Sequence, residues 1–186
     1  MRQLVFAFAA ALTLAACGAN ERGPTRVDPE LDQLFVQLEQ SPDAAAAASI
    51  EQQIWTRWAD SGSPTVNILL ERAAMAANDG NSELANRFLD QASDLAPDFA
   101  EPWNRRANLA YRAEDYSGAI SAIQETLKRE PRHFAALAAL GIIYEELNQQ
   151  RAALEAYRAA LVIHPHYEVA QQGVRRLEPR VDGREA

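Results

Sequence analysis

Few residues in this sequence could support chemistry, and the histidines are the first to consider. His164 and His166 flank Pro165, while His133 lies well upstream. A metal site needs three or four ligands, and no third ligand stands at helical spacing from this pair. The sequence also has no His-Glu-x-x-His helix, no Gly-rich phosphate loop and no Ser, His and Asp set. It therefore predicts a protein that is not an enzyme and uses no cofactor or metal.

Cys17 is the only cysteine, which excludes a disulfide framework and a Cys-based zinc site. It follows an apolar run, Leu4 to Ala16, that contains one threonine and is preceded by one arginine. This run suits a secretory signal but falls short of the roughly 20 residues that cross a bilayer as a helix. We therefore expect residues 1–16 to be a lipoprotein signal peptide and residues 17–27 to be a flexible tether.

The residues before Cys17 indicate what the signal is for. Leu14-Ala15-Ala16-Cys17 resembles the bacterial lipobox, and this resemblance implies that Cys17 becomes a lipidated N-terminus facing the periplasm. An ordinary Ala-x-Ala cleavage site and a free thiol are the alternatives. Two or three acyl chains would hold the domain on the membrane, since each buried CH₂ contributes about 0.8 kcal/mol. Gly18 replaces the Asp that retains similar lipoproteins in the inner membrane, which favours the outer membrane.

Composition limits the class of the rest of the chain. Of 186 residues, 48% are hydrophobic and 24% are charged, which suits a packed core rather than bulk disorder. The net charge of −8 repels a nucleic-acid backbone. Aromatic residues make up only 8% while alanine is abundant, which favours closely packed helices over a β-sandwich.

The body of the chain repeats with a period of 34 residues, as the spacing of Pro97, Pro131 and Pro165 shows. The period divides it into blocks 66–99, 100–133 and 134–167. Equivalent places hold small residues in all three blocks, which lets two helices of one block approach closely. These places are Ala73, Ala107 and Gly141, and then Ala85, Ala119 and Ala153.

Each block is predicted to form a pair of helices that is closed by its proline. The predicted pairs are 66–78 with 82–95, 102–113 with 116–129, and 136–147 with 150–163. Helices 29–40 and 42–60 precede them as a degenerate hairpin within residues 28–63, which we expect to cap the first block. A capping helix at 168–177 completes the repeat region, residues 64–178, and residues 179–186 are predicted to be a frayed tail.

The third block resembles the tetratricopeptide repeat at every place of its pattern: Leu137, Leu140, Gly141, Tyr144, Ala153, Tyr157, Ala160 and Pro165. The first block departs from this pattern at two places and the second at three. The resemblance implies an all-α, right-handed α-solenoid of helix hairpins. Stretches such as Ala96–Ala107 and Leu140–Glu145 also resemble periplasmic tetratricopeptide lipoproteins of Gram-negative bacteria, a resemblance that covers most of residues 30–177 and implies no activity.

By the same resemblance, places 2, 5, 9 and 12 of each block line a concave groove that binds protein partners. The predicted partner-binding residues are Glu101, Asn104, Arg105, Asn108, Tyr111, Arg112, Ile142 and Glu145, of which Arg105 and Arg112 are expected on the flank of the groove. Block one is expected to contribute Asn67, Leu70, Ala74 and Ala77, and block three Ala135 and Ala138. Asn side chains can hold an extended peptide, because they both donate and accept hydrogen bonds. The alternative is that these residues are simply hydrated helix surface.

Two observations limit the groove hypothesis. Some tetratricopeptide domains hold a C-terminal carboxylate with Lys, Asn and Arg, but here only Asn108 matches, while Asn104, Ala135 and Ala139 replace the cations. Cytosolic-chaperone tail binding is therefore not predicted. Arg72 and Arg106 each replace a buried Leu. Their guanidinium groups either extend to water over packed stems or form a polar seam, with Glu71 and Glu101 as possible partners.

The sequence thus predicts a membrane-anchored periplasmic scaffold that binds a partner protein or peptide during envelope assembly or secretion. A pilotin-type lipoprotein that chaperones one outer-membrane substrate is the first alternative. An accessory subunit of an envelope enzyme, or a hydrolase that relies on scattered carboxylates, is the second.

Overall fold

The computed structural model describes residues 28–184, which form helices and no strand. The helices are α1 (Pro29–Glu39), α2 (Ala44–Ala59), α3 (Pro64–Asn78), α4 (Ser82–Leu95), α5 (Glu101–Arg112), α6 (Tyr116–Arg129), α7 (Phe134–Glu146), α8 (Gln150–Ile163) and α9 (Glu168–Val181). Cys17, the predicted signal peptide 1–16 and the predicted tether 17–27 lie outside the described residues. Within 28–184, no helix is both long enough and apolar enough to cross a membrane.

The three blocks fold as the period predicts. Helices α3 and α4, α5 and α6, and α7 and α8 form tightly packed hairpins, and each hairpin packs on the next. The all-α solenoid is therefore confirmed. Ala85, Ala119 and Ala153 are all fully buried, because they stand where the two helices of each hairpin meet. Gly141 permits a still closer approach, since a Cβ there would lie 2.7 Å from the ring of Tyr157.

The turn inside each hairpin is equally regular. Gly80, Glu114 and Asn148 occupy the same place in their blocks and have φ angles of 76°, 58° and 57°. Glycine adopts this left-handed conformation without strain, whereas Glu114 holds it at a cost of about 1 kcal/mol or more. The repeat geometry therefore overrides the local preference of the residue in the second block.

The N-terminal hairpin forms, but it does not stand ahead of the first block as expected. The apolar faces of α1 and α2 share one core with the third block, where Trp58 and Phe134 lie with ring centroids 5.1 Å apart. The core of the first block includes no residue of α1 or α2 among the described residues. The reason is chemical. The start of α7 offers aromatic surface that matches the two tryptophans of α2, whereas α3 offers none.

Polar contacts fix this hairpin at the edge where α7 begins and α8 ends. Nε2 of His164 lies 3.1 Å from Oε2 of Glu51, although these residues are 113 positions apart. Nε2 of His166 lies 2.9 Å from the carbonyl oxygen of Ser41. Arg132 of the turn before α7 donates to Asp32 of α1 at 2.7 Å. Four residues after α2 the chain enters α3, so the hairpin joins the first block covalently and the third block by contact.

Helix α9 covers the far side of the third block. Gly173 faces the ring of Tyr157, and this packing places Leu177 in the same core. The helix is longer than predicted, because it continues through Pro179 to Val181 and ends in a 3₁₀ turn at Asp182–Arg184. Arg158 of α8 donates to Glu178 at 2.6 Å and to Asp182 at 2.7 Å. The pair with Asp182 holds a residue that the sequence assigns to the frayed tail.

Candidate partner-binding groove

A concave cavity of about 540 Å³ lies between the first helices of the three blocks. It is open to solvent and receives side chains from α3, α5 and α7. Residues outside the repeats complete it at one end. Residues that line it include Trp55, Ala74, Ala77, Glu101, Asn104, Arg105, Asn108, Arg112, Ala135, Ala138, Ala139, Ile142 and Tyr167.

The floor of the cavity in block two is a connected polar group. Glu101 Oε1 accepts from Nε of Arg105 at 2.7 Å, and its Oε2 accepts from Nδ2 of Asn104 at 3.1 Å. Arg105 also donates through Nη1 to the carbonyl oxygen of Leu70 at 2.9 Å. This last bond crosses from α5 to α3. Arg105 therefore joins the first two blocks and, with Glu101, sets the shape of the cavity.

Asn108 and Arg112 lie one and two turns after Asn104 on α5, and their side chains have no such internal partners. Both side chains are exposed and line the cavity, and neither bonds to another residue within 28–184. Asn108 offers a carbonyl oxygen and an NH₂ group, and Arg112 offers five N–H donors. These groups are free to bind the backbone or a carboxylate of an incoming chain.

Small side chains flank this polar centre on both sides. Ala74 and Ala77 of α3 form one wall, while Ala135 and Ala139 of α7 form the other. Small side chains leave room for another backbone to approach closely. The groove is therefore smooth at its sides and polar in the middle.

Two aromatic residues close one end of the cavity, and sequence reasoning missed both. Trp55 comes from α2, and Tyr167 follows α8. Both rings contact Phe134, at centroid distances of 5.8 Å and 4.9 Å. Trp55 stands on the apolar stripe of α2, which marks it as core, and only the position of the hairpin brings it to the groove. Tyr167 occupies the last place of the third block, the place that Phe99 and His133 hold in the other two.

Two of the eight predicted residues do not line the cavity. Tyr111 extends away from it, and its ring lies 6.1 Å from that of Tyr116 on the other helix of its hairpin. Glu145 accepts from the hydroxyl of Tyr157 at 2.8 Å and from Nε of Arg176 at 3.0 Å. Hydrogen bonds from the Arg176 guanidinium, the main cause, lower the pKa of this carboxyl group. Glu145 therefore connects the third block to α9 instead of facing the groove.

Three further expected groove residues have structural contacts. Asn67 holds the linker before α3, because its Oδ1 accepts from the N–H of Ser61 at 3.0 Å. Leu70 and Ala138 are 2% and 1% exposed, so they support the groove from below. The remaining predicted lining residues of the first and third blocks reach the cavity.

The two arginines that replace Leu make different contacts. Arg106 of α5 pairs with Asp90 on the preceding helix, α4. Arg72 is exposed, and its guanidinium carbon lies 6.0 Å from the ring centroid of Phe88. Arg106 thus reaches the helix before its own, where Asp90 is available, whereas Arg72 contacts the helix after its own. Glu101, one of the two possible partners, pairs with Arg105 instead.

The histidines have structural contacts instead of a shared ligand. No group of three or more His, Cys, Asp or Glu side chains that could hold a metal occurs in the described part of the chain. His133 is 1% exposed, and its Nδ1 accepts from the N–H of Ala136 at 3.1 Å, which caps α7. Burial lowers the pKa of His133 to about 3. Burial also lowers the pKa of His164, against the opposing effect of Glu51.

Comparison with known proteins agrees with this architecture. A family model described as tetratricopeptide repeat matches residues 104–168, and it describes a repeat unit and not a catalytic domain. A TPR repeat-containing protein of Rhizobium etli is 39% identical over 153 residues, which are 82% of this chain and 75% of that protein.

Solved structures show the same fold at low identity. The TPR domain of Arabidopsis OM64 superposes with a TM-score of 0.55 at 21% identity, over 60% of this chain and 93% of that one. The first TPR of Spaghetti (RPAP3), bound to an HSP90 peptide, gives 0.59 at 18% identity over 64% and 95%. MamA protein gives 0.53 at 18% identity over 79% and 80%.

Proposed function

Because this chain belongs to the tetratricopeptide repeat family, we propose that it is a scaffold that binds a partner protein or peptide in its concave groove. One observation carries the proposal. Asn108 and Arg112 line the cavity with hydrogen-bonding groups that no other residue of 28–184 uses, and alanine walls stand on both sides. The similar fold of Spaghetti, which is bound to an HSP90 peptide, supports a peptide as one kind of occupant.

The lining residues suggest how a partner segment is held. Asn104 and Asn108 lie one turn apart on α5, so their amides stand about 6 Å apart and match the spacing of every second peptide group in an extended chain. Arg112 favours a carboxylate on the same segment. Trp55 and Tyr167 supply apolar and aromatic surface for a side chain at the closed end. Affinity comes from several modest contacts.

We further propose that the scaffold is lipid-anchored through Cys17 and faces the periplasm, with the outer membrane favoured. The support is the apolar run that ends at Cys17, together with Gly18 after it. An anchor of this kind confines the groove to the membrane surface, so a modest affinity suffices at the higher local concentration of the partner. Envelope assembly or secretion is the process that such a scaffold serves.

Affinity capture from the native cell envelope tests the groove. The bait is the full-length protein, and the variant is Asn104→Ala, Asn108→Ala and Arg112→Ala combined. We expect this variant to recover the partner at least about tenfold less, because it removes the free groups of Asn108 and Arg112 together with the neighbouring amide of Asn104. Tyr111→Ala is the matched control, since it truncates an exposed side chain of the same helix outside the cavity.

Equal recovery of the partner by the triple variant and the wild type would exclude the groove as the binding site. Recovery of one dominant partner would favour the alternative of a pilotin-type lipoprotein that chaperones one outer-membrane substrate. Circular dichroism of each bait establishes that the helices are intact, so that loss of binding reports on the groove.

A further inference from the structure

Helix α3 carries a stripe of exposed side chains that the groove does not use. Ile68 is 48% exposed and Met75 is 66% exposed. The two residues are seven positions apart, so they lie on one face of the helix with Glu71 and Arg72 between them. Both charged side chains are exposed as well. We call these four residues the α3 face.

The repeat register shows what this face is. Ile68 and Met75 occupy the third and tenth places of their block. In block three these places hold Ala136 and Ile143, which are 1% exposed and share a core with α6 of the preceding block. In block two the tenth place holds Leu109, which is 8% exposed and belongs to the core of block one. The α3 face is therefore the surface that a preceding block would cover.

The displaced hairpin explains why this surface is open. Helices α1 and α2 pack on the third block, so the described chain places nothing over Ile68 and Met75. The other end of the array differs, because α9 covers it and presents exposed charged side chains such as Arg175 and Glu178. Within residues 28–184, the two ends of the array therefore offer different surfaces, and of these two the α3 face offers apolar side chains on an unfilled repeat junction.

We propose that the α3 face is a docking surface for a second copy of this chain, related by a two-fold axis. An antiparallel pairing of the two α3 helices with the axis between Glu71 and Arg72 is self-complementary. It places Ile68 against Met75 of the second copy and Glu71 against Arg72 of the second copy. Two apolar contacts and two ion pairs then form at once, and the contact closes as a dimer without growing into a filament.

The size of the patch sets the strength of this dimer. One helix face buries far less than the roughly 800 Å² per partner of a standard interface, so association is weak in dilute solution. Confinement of both copies to one membrane, as the proposed lipid anchor provides, raises their effective concentration. The groove lies on the other side of α3, so each dimer presents two grooves.

Sedimentation velocity of the full-length chain in mild detergent, over a hundredfold range of concentration, tests the dimer. We expect a concentration-dependent shift from monomer to dimer. Met75→Asp should raise the dissociation constant by about tenfold or more, because it places a carboxylate in the apolar contact. Val162→Asp is the matched control, since Val162 is 75% exposed on α8, away from the α3 face.

A charge exchange distinguishes this pairing from other modes of association. Glu71→Arg or Arg72→Glu alone brings like charges together at the axis and should weaken the dimer by about tenfold. The double variant restores both ion pairs, so its dissociation constant should return to within about threefold of the wild type. The groove triple variant should dimerise normally, which separates this inference from the proposed function.

Three outcomes would overturn the inference. They are a chain that stays monomeric throughout, a dimer that Met75→Asp leaves unchanged, and a double charge variant no stronger than the single ones. If the chain is monomeric and the Met75→Asp variant no longer captures a protein that the wild type captures, the α3 face binds that protein and not a second copy.

Discussion

The imidazole of His133 lies flat against the indole of Trp58, with ring centroids 4.0 Å apart and ring planes 9° apart. His133 ends the second block and caps α7, and Trp58 belongs to the N-terminal hairpin, so this stack joins that hairpin to the start of the third block. Trp58 is 6% exposed, and its ring also lies 5.2 Å from that of Trp55. The hairpin is thus held by an aromatic cluster and not only by surface ion pairs.

Trp58→Ala should therefore release or loosen the hairpin. The variant loses a large buried ring and leaves a cavity beside His133, which costs about 3 kcal/mol or more of the free energy of unfolding. Urea denaturation followed by circular dichroism measures this loss. Gln53→Ala, an exposed change on the same helix, should alter the free energy of unfolding little. Equal stability of the two variants would show that the hairpin does not depend on the cluster.

The protein should lose stability in mild acid because of the same site. Burial lowers the pKa of His133 to about 3 and also lowers that of His164. An unfolded histidine titrates near pH 6.5, so the unfolded chain binds more protons than the folded chain between pH 6.5 and about 3. Stability is therefore complete above pH 6.5 and falls with the pH across this window.

For His133 alone, the loss between pH 7 and pH 5 is about 2 kcal/mol in the free energy of unfolding. Urea denaturation at the two pH values measures it. His133→Asn keeps an acceptor for the N–H of Ala136 but cannot be protonated, so its stability should depend less on pH. The same pH dependence in wild type and variant would assign the effect to other groups.

Much of this fold follows from the sequence, because repeating prolines and small residues act locally. The six helices of residues 66–163 are set by turns at Gly80, Glu114 and Asn148 and by contacts within one period. The position of the N-terminal hairpin is set by pairs such as His164 with Glu51, which are 113 residues apart and follow no period. No regular pattern in the sequence marks such a pair.

The groove residues also divide into those placed by the repeat and those placed by contacts that are distant in sequence. Repeat register places Asn104 and Asn108 at the cavity, as the structure does, but it puts Tyr111 in the groove and Arg112 on the flank, and the structure reverses these two. It fails for Glu145, because Arg176 of α9 takes that carboxylate, and it cannot foresee Trp55, which arrives with the displaced hairpin. Residues positioned by the repeat are predictable from one block, whereas residues recruited by an additional helix require the whole structure.

Gly173→Ala should destabilise the protein even though alanine favours helices. A Cβ at this position would lie 2.4 Å from the ring of Tyr157, which is fully buried and whose hydroxyl donates to Glu145. The ring cannot move away freely, so overpacking should cost about 1–3 kcal/mol. Thermal unfolding measures the change. Gly183→Ala is the control, because nothing lies within 4 Å of its added Cβ, and a drop of the same size there would contradict this packing argument.

Cys17→Ser should move the protein from the membrane fraction to the soluble fraction of the periplasm. Serine has no thiol, so it cannot carry the thioether-linked lipid that the lipobox resemblance implies. Fractionation of cells and labelling with a radioactive fatty acid measure both effects. Ser41→Ala, far from the signal, is the control. A Cys17→Ser protein that remains on the membrane and incorporates label would refute lipidation at this residue.

Helix α2 leads into α3, and the tryptophans of α2 pack against the start of α7. The hairpin therefore spans a fixed distance between the first and third blocks. Adding one more block between them would displace the His133 edge by roughly 8–10 Å, the spacing of packed helices. The hairpin could not then reach it. Repeat solenoids commonly lengthen by duplication of a block. In this protein the contacts of the N-terminal hairpin fix the number of blocks at three, so a chain that gains a fourth block loses those contacts.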